Sequence, residues 1–325
     1  MRSMIADKNS TATTYRSSKP GTRKILRSCD FLDFFFRRKV LRKRIPLLAS
    51  FKVTYRCNLA CGACPFHQKA REENSHMSWE TAITSLLRIK KTGCRIVVFE
   101  GGEPFVWKDG SHDFHELVGY AKELFRCVAV TTNGTFSLDV PADVLWVSLD
   151  GTKDIHDKLR SNSFDRIWNN LLTTVHPNIL VHLTLNKENW HDLNQMADML
   201  QTMTSIKGMT VQLFYPYGQG EEPLALSRQE RTAALENVIQ LKRRGYPILN
   251  SESRLKAMIE NTWTCHDDIL VNVNPDGSIS TGCYVKNRGT VHCKECGFTP
   301  VAEASGAVDL LPGSLYAGWR IFAGY

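Results

Sequence analysis

The strongest constraint on this chain is an alternation that runs through its first two thirds. Short apolar runs over residues 49–54, 95–100, 128–132, 144–149, 179–185 and 210–214 have the length and composition of strands. Helix-like segments over 78–91, 114–125, 164–173 and 190–203 lie between them, and another follows over 228–243. Ser78 is placed to cap the first of these and Gly93 to stop it. Strands separated by helices pair in parallel, because the helix returns the chain to the starting edge of the sheet. The expected fold is therefore α/β, a parallel sheet curled into a partial barrel. Chemistry in such a barrel gathers where the strands end.

The first run ends in Cys57-Asn58-Leu59-Ala60-Cys61-Gly62-Ala63-Cys64, three cysteines within eight residues. Soft thiolates at this density suit an iron–sulfur cubane, and three of them leave one of four irons without a protein ligand. A zinc site or three unrelated thiols are the plainer readings. Structural zinc usually takes paired C-x2-C elements and four ligands, and His67 is the nearest fourth candidate. The later strand-like runs end in Gly101-Gly102-Glu103-Pro104, in Asn133-Gly134, in Ser148-Leu149-Asp150-Gly151 and at Asn186. Taken singly these are common turn sequences; at successive strand ends they form a set.

The C-x3-C-x2-C loop and this ordered set resemble the radical S-adenosylmethionine (SAM) superfamily over about residues 49–215. The resemblance implies a TIM-like (β/α)6 partial barrel and a [4Fe–4S] cluster held by Cys57, Cys61 and Cys64. It also implies that SAM occupies the open iron and is cleaved to methionine and a 5′-deoxyadenosyl radical. By the same resemblance Gly101, Gly102, Glu103 and Pro104 meet the amino group of SAM, and Asn133 makes further contacts. Ser148 and Asp150 would meet the ribose, and Arg160 the methionine carboxylate. Ala63 stands where the superfamily usually has an aromatic residue near adenine, with Phe66 as a substitute.

Three segments divide the chain: a basic arm over 1–48, the barrel over 49–250 and a cysteine-rich C-terminal domain over 251–325. Residues 1–50 carry 13 Lys and Arg against three acids, while the other 275 carry 28 against 30, so no basic nucleic-acid surface is expected on the body. Residues 1–28 read as a mobile tail. Phe31 to Phe36, followed by Arg37, Arg38, Lys39, Arg42, Lys43 and Arg44, suit either an anionic membrane surface or a helix docked by its Phe face on the barrel. A proline at 46 ends that helix. Seven of the ten cysteines fall in two groups and no apolar stretch spans a bilayer, so a reducing, cytoplasmic setting is expected, with the arm allowing peripheral contact at the inner membrane surface. Cys94 and Cys127 precede strands and read as packing thiols; His112, His115, His182 and His191 read as solvated or core residues.

A hairpin is expected around Pro275-Asp276-Gly277, flanked by Cys265, Cys283, Cys293 and Cys296. These four suit an auxiliary [4Fe–4S] cluster, a structural zinc, or free or partly ligating thiols, the first being favoured. Their layout is similar to a shortened SPASM or twitch extension. Lys43-Arg44-Ile45-Pro46-Leu47 and the late Cys293-x2-Cys296-Gly297-Phe298-x-Pro300 also resemble the adenosylhopane synthase group, which implies a lipid-like substrate. The resemblances together imply an enzyme served by a flavodoxin- or ferredoxin-like reductant. Two alternatives are a maturase or dehydrogenase of a peptide or sugar, and a non-catalytic zinc protein.

Overall fold

The computed structural model describes residues 20–62, 64, 66, 68–216, 218, 220–287, 293 and 296–322. Ala63 and His67 lie outside them, as do residues 1–19 of the expected tail; from Pro20 onward that tail is helical.

Helix α1 (Pro20–Lys39) precedes β1 (Leu48–Thr54), α2 (Trp79–Lys91) and β2 (Ile96–Gly101). A short hairpin, β3 (Lys108–Asp109) and β4 (His112–Asp113), leads into α3 (Phe114–Leu124) and β5 (Cys127–Thr132). Then come β6 (Val144–Ser148), α4 (Lys153–Leu159), α5 (Phe164–Thr173), β7 (Ile179–Leu185), α6 (Leu193–Gln201), β8 (Ile206–Leu213) and α7 (Arg228–Arg243). The chain closes with α8 (Glu252–Glu260), β9 (Leu270–Val273), β10 (Ile279–Thr281), α9 (Thr299–Val308) and α10 (Pro312–Phe322).

The six expected strands form the parallel run β1-β2-β5-β6-β7-β8 of one sheet. Ser78 caps α2 by accepting from the Thr81 amide. The late hairpin also forms, and it joins this same sheet: β9 lies parallel to β1 with β10 antiparallel beyond it. The segment over 190–203 is a 3-10 turn at Trp190–Asp192 followed by the shorter α6.

Period two along each strand sorts residues onto two faces. Phe51, Val53, Val97, Phe99, Val130, Val147, Val181 and Leu183 pack under the helices in the main core. The other face is concave, and its character changes along the strands. Near the strand starts it is apolar, with Ile96, Val98, Cys127, Ala129, Val144 and Leu180 covered by Phe31 of α1 and by Ile321 and Phe322 of α10. Near the strand ends it carries Ser50, Lys52, Glu100, Ser148, His182 and Thr210. The register holds them on one side, pairing Lys52 with Glu100, Ser148 with His182, and His182 with Thr210. Lys52 is fully buried and donates to Ser50 Oγ at 2.6 Å, with Glu100 Oε1 3.8 Å from its Nζ.

The basic arm is thus built into the fold as a docked helix. Phe34 is fully buried among Ile269, Leu270, Val285, Phe298 and Val301. Arg38 donates to Asp268 at 2.5 Å and to the Ile45 carbonyl at 3.1 Å, and Arg95 pairs with Asp33 at 2.7 Å. Leu32, Phe36, Val40 and Leu41 stay exposed. No helix of the described residues is long and apolar enough to cross a membrane.

At the other end of the chain, Glu303 on α9 accepts from the amide and hydroxyl of Ser251, the N-cap of α8, at 2.7 and 2.9 Å. Burial pushes its carboxyl up to about 7 against those two donors.

Two outcomes follow from this packing. Phe34→Ala should lower unfolding free energy by about 3–5 kcal/mol in urea titrations, the usual cost of emptying a buried aromatic site. An arm that serves only a membrane surface would leave that value unchanged. Glu303, with a folded pKa above its unfolded value, binds more protons in the folded chain, so its contribution is lost as pH rises from about 4.5 through 7. In denaturation series at several pH values, Glu303→Gln should flatten this part of the stability profile relative to the parent.

Candidate functional site

The cysteine loop leaves the end of β1 and is held from three sides. On the first side is the β2 turn. The Gly102 amide donates to the Thr54 carbonyl at 2.8 Å and the Glu103 amide to the Arg56 carbonyl at 2.9 Å. A Cβ on Gly102 would stand 2.1 Å from Arg56 O, so no other residue fits this approach. The close approach expected of the paired glycines is thus made, in this structure, to the root of the cysteine loop.

The second side is the end of β5. The Glu103 side chain is fully buried and accepts from Thr132 Oγ1 at 2.8 Å, the Asn133 amide at 2.7 Å and the Phe105 amide at 3.2 Å. Burial pushes this carboxyl up to about 7, with the same three donors opposing. One side chain thereby ties the β2 turn to Asn133. Asn133 in turn donates from Nδ2 to Asn58 Oδ1 at 2.8 Å and to Cys57 Sγ at 3.6 Å, and Asn58 donates to Thr135 at 2.8 Å.

The third side is the turn after α4. Arg160 donates from Nε to Asp150 Oδ2 at 2.5 Å, and the Thr184 amide occupies Asp150 Oδ1 at 3.0 Å. Among the described residues no other group hydrogen-bonds the Arg160 guanidinium, so its two Nη groups are available to a ligand. Ser161 accepts from the Ala60 amide at 3.1 Å, which joins this turn to the cysteine loop. Ser148 is buried at the end of β6 beside His182.

Cys57, Cys61 and Cys64 are each partly exposed. Burial pushes the Cys61 thiol up to about 11 while the nearby Arg160 charge opposes it, and the other two thiols act on it as well. Among the described residues no three His, Cys, Asp or Glu side chains converge to hold one metal ion. Three thiols on one short loop match in kind and number the protein ligands of a cubane with one open iron. Cys57 Sγ also accepts from the Leu59 amide at 3.4 Å, a contact that favours a thiolate. The donor set fits an iron–sulfur cluster.

In the C-terminal group, Cys283 and Cys296 are buried and Cys265 and Cys293 exposed, with the segments between 287 and 296 described only at residue 293. The Phe298 amide donates to Cys296 Sγ at 3.3 Å, and the Val285 and Lys286 amides act likewise on Cys283. Cys94 and Cys127 are buried at the strand starts. Phe66 stacks on Tyr55 with centroids 5.5 Å apart, and Tyr55 donates to Asn274 of the β9–β10 turn.

Sequence reasoning assigned no role to His156, Asn58 or Ser161, nor to Ser50, Lys52, Glu100 and Thr210 of the inner face, of which it named only Ser148 as a ribose contact and His182 as a solvated or core histidine. Alternate polar residues within apolar strands, such as Ser50 and Lys52 or His182 and Thr184, were the available signal.

The family model described as the radical SAM superfamily matches residues 51–200. Fe-coproporphyrin III synthase of Methanosarcina barkeri is 30% identical over 275 residues, covering 75% of this chain and 67% of the relative. Mycofactocin maturase MftC of Mycobacterium tuberculosis is 27% identical over 192 residues, covering 54% of this chain and 47% of the relative, so the chain spans about half of that protein. Among solved structures, SuiB of Streptococcus suis bound to the precursor peptide SuiA superposes with a TM-score of 0.62 at 15% identity, covering 92% of this chain and 72% of the other, a likeness of fold. With the loops at the strand ends arranged as described, this chain belongs to the radical SAM superfamily and is an enzyme whose family implies a [4Fe–4S] cluster and SAM.

Proposed function

We propose that this enzyme is a maturase-type catalyst that modifies a peptide or a cofactor precursor, with Cys57, Cys61 and Cys64 as ligands of the SAM-binding cluster. The observation that carries the site assignment is the attachment of Asn133 and the Arg160 turn to one eight-residue cysteine loop and of the β2 turn to its root at Thr54 and Arg56. When bound, the cluster and SAM supply a 5′-deoxyadenosyl radical. The protein's part is to hold and orient. Gly101, Gly102 and Pro104 shape the turn that receives the amino group of SAM. Glu103 fixes that turn against Asn133 from the buried side. Burial raises the Cys57 thiol, and the donors to its Sγ from the Leu59 amide and Asn133 oppose that rise. Ser148 and Asp150 lie on the ribose side, and Arg160 offers its Nη groups to the carboxylate. An electron arrives from a small reducing protein.

The substrate class draws support from the concave face. Its apolar half is filled by the chain's own Phe31, Ile321 and Phe322, and the half facing the cysteine loop is lined by Ser50, Lys52, Glu100 and His182. Glu100 and His182 are half-buried there, and a lipid tail laid on them would cover polar atoms with no hydrogen bonds in return. A peptide or a carboxylate-bearing precursor can supply such bonds. The names of the relatives, one a synthase of a coproporphyrin and one a maturase, point the same way. A lipid-like substrate and a membrane-bound arm have less to draw on, since Phe34 and Arg38 of the arm are taken up by the protein's own core and by Asp268.

An auxiliary cluster on Cys265, Cys283, Cys293 and Cys296 completes the reading. Cys283 and Cys296 each accept an amide two residues ahead, as Cys57 does from Leu59. That shared turn is suited to a thiolate that binds metal.

Anaerobic reconstitution tests both assignments. About eight irons in the parent, and about four in a variant with Cys57, Cys61 and Cys64 all changed to Ala and inactive in SAM cleavage, are expected for two cubanes. About four irons in the parent and none in the variant would remove the auxiliary cluster, and no iron in either would overturn the proposal. Cys61→Ala alone should abolish 5′-deoxyadenosine formation with an unchanged circular dichroism melt. Gly102→Ala, which sets a methyl group against Arg56 O, should lower SAM cleavage at least tenfold, measured as 5′-deoxyadenosine released per iron bound.

A further inference from the structure

Behind Arg160 lies a closed circuit of four hydrogen bonds. The Asp150 amide donates to His156 Nδ1 at 3.1 Å. That leaves the proton on Nε2, which donates to Ser163 Oγ at 3.1 Å. Ser163 Oγ donates to the Arg160 carbonyl at 2.6 Å. Arg160 Nε returns to Asp150 Oδ2 at 2.5 Å. Each hydrogen serves one acceptor, and only the neutral imidazole with its proton on Nε2 completes the ring.

His156 is fully buried, packed edge-on against Phe164 with centroids 5.8 Å apart. A residue kept only for packing there would need no nitrogen, yet both nitrogens are engaged. Burial pushes the imidazole down to about 4, which keeps it neutral at working pH.

The circuit stands where the backbone is forced. Arg160 leaves α4 in a non-helical conformation, and Ser161 and Asn162 follow with φ of 56° and 53°. Two successive left-handed residues other than glycine need surroundings that hold them. Here the Arg160 amide is bound to the His156 carbonyl at 2.7 Å, and the Asn162 amide to the Asp157 carbonyl at 3.0 Å. The result is an arginine fixed at its amide, its carbonyl and Nε, with its Nη groups left over, and a next residue, Ser161, touching the cysteine loop.

We infer that His156 is the positioning residue for Arg160, acting through Ser163 and Asp150 to set the guanidinium toward the carboxylate of SAM. The inference rests on the proposed role of Arg160 as carboxylate acceptor. His156 itself touches neither SAM nor cluster. A fork donor matches a carboxylate only when its plane is held, so rotation of Arg160 weakens binding while its charge remains.

The test is SAM affinity of the anaerobically reconstituted enzyme, read from the change in the electron paramagnetic resonance signal of the reduced cluster as SAM is added. Iron content is measured for each variant. His156→Phe keeps the ring's volume and removes both nitrogens; it should weaken SAM binding about tenfold to a hundredfold, the range for a lost charge-assisted contact. Arg160→Gln should weaken it at least as much. The double variant should bind no more than about twofold worse than Arg160→Gln alone, because a residue that acts through Arg160 has nothing to set once Arg160 is gone. Ser163→Ala, which removes one link of the circuit, should show a smaller loss and carries the test if His156→Phe does not hold a cluster. Additive losses in the double variant would overturn the inference, as would unchanged affinity in iron-loaded His156→Phe or Ser163→Ala. Unchanged affinity in Arg160→Gln would remove the carboxylate role and the inference with it, while full iron content would leave the cluster assignment standing.

Discussion

The buried carboxylate of Glu103 is the contact on which the site depends. It reaches from the turn after β2 to the end of β5 and receives three donors in a position closed to water. Loops at the end of a barrel are separate excursions of the chain, and nothing in the alternation of strands and helices fixes them relative to one another. A buried charge with several donors does so, because each donor that left it would expose a large desolvation cost. Gly102 extends the constraint to the root of the cysteine loop, where it replaces side-chain packing with direct backbone contact.

The same logic explains the two ends of the chain. The concave face of an open parallel sheet needs a cover at the end away from the chemistry, since apolar strand residues face inward there. Phe31 of α1 and Ile321 and Phe322 of α10 supply it. Segments that look like appendages in sequence thus close the base of the barrel, and β9 and β10 extend its sheet past β1. Tyr55, joining the start of the cysteine loop to Asn274, adds a hydrogen bond between the proposed cluster site and that hairpin.

Polar residues on the inner face give the site its character. Lys52 can be fully buried because Ser50 accepts from it and Glu100 lies near. Such a group is costly when isolated and tolerable in a network. The face thus runs from an apolar base to a polar mouth at the strand ends.

Much of this was legible in the residues themselves. Period two, helix caps and turn dipeptides determined the parallel sheet and the order of its loops, since these depend on local backbone preferences and on which face is apolar. The spacing of Cys57, Cys61 and Cys64, with the turns at the later strand ends, pointed to the superfamily to which the chain belongs. The arm was undecided: its phenylalanines and arginines suit a membrane or a protein surface equally, and the site for Phe34 and the acid opposite Arg38 are what show its described part docked on the protein. Asp150, Arg160, His156 and Ser163 lie within fourteen residues, yet the circuit they make depends on a left-handed turn at Ser161 and Asn162 that neither residue type demands. Glu103 read as a ligand-facing residue because its neighbours are glycines. That its carboxylate turns inward, toward a strand end about thirty residues away, is a property of long-range packing that local sequence does not encode.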